Sequence, residues 1–172
     1  MNYGEIKKTD IANGLGVRVS LFVSGCPHHC KGCFNSETWD FDYGKPFDEG
    51  VQEDIINLLS PSYINGLTVL GGEPMVPANQ RALLPFLKKV RKTYPDKDIW
   101  CYSGYVFEDE ILKGNANIPE TNEFLSLLDV LVDGRFIEEK KNITLKFRGS
   151  ENQRIIDVKE SLKQGRTILM NI

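Results

Sequence analysis

The chain has 172 residues, 41% hydrophobic and 26% charged, enough to bury a core without disulfide staples. Its 21 Lys and Arg against 24 Asp and Glu leave a net charge of −3, which argues against a nucleic-acid binder and its basic excess. The opening residues lack the apolar run of a signal peptide, and no stretch approaches the roughly 18 apolar residues of a membrane span, so the expectation is a single cytoplasmic domain over 1–172 with no membrane contact.

Residues 16–25, GVRVSLFVSG, are β-branched and aromatic and end at a glycine, which predicts a strand feeding a loop that runs to about Pro46. In 48–60, Val51, Ile55, Leu58 and Leu59 recur at helical spacing behind Asp48, a suitable N-cap. GLTVLGG (66–72) reads as a buried strand. Residues 79–95 read as a helix with Leu83, Leu87 and Val90 on one face and a kink at Pro85. Its late basic residues, Lys88, Lys89, Arg91 and Lys92, read as a solvated face. DIWCYSG (98–104) is another buried strand, and 123–134 a short helix running into the strand DVLVDG. The last segment offers a short helix and a terminal apolar stretch. This alternation predicts an α/β fold with a mostly parallel sheet. Each strand ends in glycine or polar residues: Ser24-Gly25, Gly71-Gly72-Glu73, Ser103-Gly104 and Asp133-Gly134. The carboxyl ends of parallel strands are where such folds build their sites.

The first of these loops, GCPHHCKGCFN, holds three of the four cysteines and both histidines of the chain. Clustered thiols in a chain without secretory features point to metal or redox chemistry rather than disulfides. Thiolates take zinc or iron–sulfur clusters. A structural zinc site closes with four ligands, so His28, His29 or Cys101 would have to complete Cys26, Cys30 and Cys33. A [4Fe–4S] cluster usually takes four cysteines, so three leave one iron open to a substrate or cofactor. Spacing alone leaves both readings standing. The plainer reading of His28 and His29 is that they shape the loop or face solvent. Cys101, between Trp100 and Tyr102, reads as a small buried hydrophobe.

CPHHCKGCF resembles the CxxxCxxC motif of the radical S-adenosylmethionine (SAM) superfamily, and GGEP at 71–74 resembles that superfamily's second motif. SGCPHHCKGCFNSETWDF, LVDGRF (131–136) and RGSENQRIID (148–157) are similar to the activases of anaerobic, class III ribonucleotide reductases. The resemblance implies an incomplete (β/α) barrel of the radical SAM type. It implies a [4Fe–4S] cluster on Cys26, Cys30 and Cys33, with SAM chelated at the open iron. An electron from a flavodoxin- or ferredoxin-type donor would cleave SAM to methionine and a 5′-deoxyadenosyl radical. That radical would take a hydrogen atom from a glycine of the reductase large subunit. The chemistry belongs to the cofactors, so no side chain is assigned as catalytic. A homodimer is left open.

The resemblance also implies the SAM contacts. Phe34 would lie against adenine, and Gly71 and Gly72 would let backbone approach the ligand. Glu73 would meet the SAM amino group, with Pro74 fixing the backbone behind it. Ser103, Gly104, Asp133 and Arg135 would complete the pocket. Each has a plainer reading: core packing for Phe34, a strand-to-helix turn for GGEP, a surface turn for Asp133-Gly134 with a solvated Arg135. RGSENQR has no role derivable from its residues. Two other functions compete: activase of another glycyl radical enzyme such as pyruvate formate-lyase, and a zinc-binding protein-interaction module.

Overall fold

The computed structural model describes residues 1–172. In chain order the elements are β1 (Asn2–Asp10), β2 (Val17–Val23), β3 (Lys45–Pro46), α1 (Glu49–Leu58), β4 (Ile64–Gly71), α2 (Pro77–Thr93), β5 (Asp98–Tyr102), α3 (Thr121–Leu127), β6 (Val130–Asp133), β7 (Arg154–Asp157) and α4 (Val158–Gln164). All seven strands form one sheet in the order β3-β1-β2-β4-β5-β6-β7. The central four, β2, β4, β5 and β6, are parallel. β1 and β3 on one side and β7 on the other pair antiparallel.

The parallel centre agrees with the expectation from the strand–helix alternation. The antiparallel strands were not legible, because β1 carries exposed Glu5, Lys7 and Lys8, a pattern that reads as polar chain. The helices form where expected. Asp48 Oδ1 accepts the Val51 N–H at 3.0 Å and so caps α1. α2 begins with Pro77 in its first turn, where a missing N–H costs nothing, and continues through Pro85.

Side chains alternate across the sheet. Odd-numbered residues of the central strands, such as Val19, Leu21, Leu67, Val69, Ile99, Cys101 and Leu131, share one core with Leu83, Leu87 and Val90 of α2 and Phe124 of α3. Cys101 is fully buried there, as its apolar neighbours predicted. Even-numbered residues face the other way. Near the amino ends Arg18, Thr68 and Trp100 make a buried polar floor, and nearer the carboxyl ends Phe22, Leu70 and Tyr102 line a cavity. No helix is long and apolar enough to cross a membrane.

Candidate functional site

Four loops leave the carboxyl ends of β2, β4, β5 and β6 side by side. The first two are stitched together by backbone hydrogen bonds. Gly72 N–H donates to Val23 O (2.7 Å) and Glu73 N–H to Gly25 O (2.8 Å), while bonds from Gly25 N–H to Thr38 O (2.8 Å) and from Cys26 N–H to Trp39 O (3.1 Å) fold the first loop back on its own start. Buried Asn79 of α2 ties both loops from below, donating to Ser24 O and Glu73 O at 3.0 Å each. Gly71 has φ +104°, and a Cβ there would stand 2.8 Å from the backbone of Phe22. A Cβ on Gly72 would press on the Gly25 carbonyl at 2.7 Å. The two glycines are therefore required by the close approach of the protein's own β2 end, a reason additional to any ligand.

Cys26, Cys30 and Cys33 are free and line one cavity of about 690 Å³ with Gly71, Gly72 and Glu73. Asn35 N–H donates to Cys33 Sγ at 3.4 Å. His29 takes a left-handed φ of +48° and stacks on Trp39, 4.6 Å between ring centres, which holds the middle of the loop against the segment after it. Burial pushes the Cys26 thiol up to about 11, against the lowering effect of the His28 amide; burial also raises Cys30. These thiols need a cationic centre to become thiolates at neutral pH. No three His, Cys, Asp or Glu side chains gather closely enough for a single metal ion. A cubane spreads its ligands more widely than a lone zinc ion does. Three thiols around a roomy cavity, one of them accepting a backbone amide, thus fit an iron–sulfur cluster with one open iron.

Glu73 is fully buried, and its charge is met on every side. Oε1 accepts from Met75 N–H (2.9 Å) and Ser103 Oγ (2.8 Å). Oε2 accepts from Gly104 N–H (2.7 Å) and His28 Nε2 (2.7 Å). The carboxylate thus gathers the ends of β4 and β5 with the cysteine loop. His28, read from sequence as a loop-shaping or exposed residue, is instead the side chain that joins the cysteines to Glu73. The signal was its place between Cys26 and Cys30; its partner lies 45 residues away and had no local trace.

Ser103, Gly104 and Phe34 also line the cavity. Phe34 is 65% exposed at the rim, tilted against Phe136 at 5.3 Å with Lys141 over its face, so the core-packing reading does not hold. Pro74 is buried beneath the loop and does not line the cavity. Asp133 and Arg135 do not line it either. Asp133 is buried, accepts from Phe107 N–H (2.9 Å) and pairs with Arg154. Arg135 is bidentate to Glu110 at 2.7 and 2.9 Å. Both side chains are engaged within the protein, Asp133 with Arg154 and Arg135 with Glu110, while Gly134 between them lines the cavity.

RGSENQR is the clamp on that same turn. Gln153 donates to Gly134 O, Asn152 to Arg135 O, and Arg154 joins Asp133 to Glu108. Lys31 makes surface pairs with Glu138 and Glu139.

A family model described as "4Fe-4S single cluster domain" matches residues 12–156. Among curated proteins, the anaerobic ribonucleoside-triphosphate reductase-activating protein of Haemophilus influenzae is 44% identical over 155 residues, covering 89% of this chain and 96% of the relative. The protein of that name from Enterobacteria phage T4 is 40% identical over 157 residues, covering 90% and 93%. That of Escherichia coli K12 is 39% identical over 155 residues, covering 89% and 96%.

Proposed function

The chain belongs to the family of anaerobic ribonucleoside-triphosphate reductase-activating proteins with a 4Fe-4S single cluster domain, and on that premise we propose that it is the radical SAM enzyme that installs a glycyl radical on such a reductase. The observation that carries the proposal is the single cavity shared by Cys26, Cys30, Cys33 and Glu73 at the carboxyl ends of the parallel strands. Cys26, Cys30 and Cys33 would hold the [4Fe–4S] cluster, which when bound would supply the electron for reductive cleavage of SAM. Glu73 offers a buried carboxylate to the SAM ammonium, a charge-assisted bond. Gly71, Gly72, Ser103 and Gly104 let backbone and small side chains border the ligand, and Phe34 offers a ring to adenine at the rim.

The sheet, open along its β3 and β7 edges, serves as the incomplete barrel of this reading, and 1–172 acts as one domain. The cavity mouth lies open to a polypeptide, which suits a substrate that is a glycine within a folded partner. A flavodoxin- or ferredoxin-type protein is the electron donor, the protein works in the cytoplasm, and a homodimer is its proposed assembly. The test is to mix the reduced, cluster-loaded protein with SAM and the reductase large subunit without oxygen. A glycyl radical doublet in the electron paramagnetic resonance (EPR) spectrum is expected. A doublet on pyruvate formate-lyase instead would redirect the proposal to that activase.

A further inference from the structure

A carboxylate offers about four lone-pair positions. Those of Glu73 are all filled, by Met75 N–H and Ser103 Oγ on one oxygen and Gly104 N–H and His28 Nε2 on the other. An ammonium group arriving from the cavity finds no free acceptor and must displace a donor. Two of the four are backbone amides fixed by the loops. Ser103 is buried, and its Oγ also accepts the Tyr105 N–H at 3.0 Å, so moving it breaks a second bond. His28 has no such anchor. Its ring rests edge-on against Tyr105, 4.4 Å between centres, and against the bare Cα of Gly104, where a Cβ would clash with ring atom Nε2 at 2.7 Å. It also lines the cavity. Of the four donors, His28 leaves at least cost.

We propose that His28 is an exchangeable partner of Glu73, a positioning residue that holds the carboxylate until a cationic ligand takes its place. The inference rests on the reading that the SAM ammonium meets Glu73. The exchange favours a charged amine, because a neutral group would replace a good hydrogen bond with a weaker one. It also ties ligand arrival to the cysteine loop, since His28 lies between Cys26 and Cys30.

The test is anaerobic equilibrium dialysis of the cluster-loaded protein against SAM and against the sulfonium analogue that lacks the α-amino group. His28→Leu leaves one Glu73 acceptor position vacant. SAM should then bind about tenfold tighter, while the analogue binds as before. His28→Gln, which restores an N–H donor, should return SAM affinity toward wild type. Equal changes for SAM and the analogue in His28→Leu would overturn the inference alone. Failure of His28→Leu to load a cluster would also overturn it, because an exchangeable contact cannot be one the loop requires. Cluster-loaded wild type that binds neither compound would bring down the functional reading and the inference with it.

Discussion

Arg18 has no exposed side-chain surface, yet it carries a full charge. It survives there because each guanidinium nitrogen has an acceptor: Nε has Thr68 Oγ (2.7 Å), Nη1 has Leu15 O (3.0 Å) and Nη2 has Leu67 O (2.9 Å). Its charge is met by Asp98 Oδ1 at 2.5 Å, a close ion pair lacking hydrogen-bond alignment. The Trp100 ring covers it at 5.3 Å. Asp98→Asn leaves the buried guanidinium without its counter-charge. The expected loss is about 2 kcal/mol in urea unfolding, below the usual cost for a fully buried pair because Asp98 is 40% exposed. At this scale the sequence was legible only where chemistry is local. The cysteines declare themselves by spacing. Arg18 and His28 do not, because a lone Arg in a strand and a His in a loop look the same whether buried or solvated. Arg91, read as part of a solvated face, likewise reaches Asp129 at 2.6 Å and the Leu127 carbonyl.

The loops after β2 and β4 behave as one element. Gly71 is the hinge of that pairing, and Gly71→Ala would force a side chain into a positive φ and against the Phe22 backbone. The strain alone costs about 1–2 kcal/mol. The expected outcome is a lower urea midpoint together with reduced iron per chain, because the displaced β4 end carries the cysteine loop with it. Iron content and unfolding measured on the same preparation check this. The strands that build the site were legible, since β2, β4, β5 and β6 are apolar runs closed by glycine or polar residues. β1 was not, because NYGEIKKTD is mostly polar and exposed and shows no apolar run. β7 hid inside RGSENQRIID, whose polar half spends its hydrogen bonds on the turn after β6, from 134 to 135. A resemblance marks such a segment as distinctive, but its partners are set by tertiary distance.

Across the whole molecule, the antiparallel β7 edge is fastened by one charged assembly. Arg154 grips Asp133 and Glu108, and Thr167 near the carboxyl terminus also meets Glu108. The Arg154 hydrogen bonds hold the Glu108 carboxyl down from its ordinary 4.5 to about 2. A depressed carboxyl stabilises the fold at pH values above its unfolded value and loses that contribution as pH falls through the folded one. Stability of the cluster-free protein should therefore decline from about pH 4.5 toward pH 2, and Glu108→Gln should flatten that decline. Urea unfolding at stepped pH measures it. The Arg154 assembly supports the fold from outside the cavity, while the cavity itself unites three thiols and one buried carboxylate. That union is the central claim, and its most direct test is SAM cleavage by the reduced, cluster-loaded protein beside Cys30→Ala, scored as 5′-deoxyadenosine. The account predicts product from wild type and none from Cys30→Ala. Equal product from both, or a wild type that binds one zinc and no iron and makes no product, would contradict it.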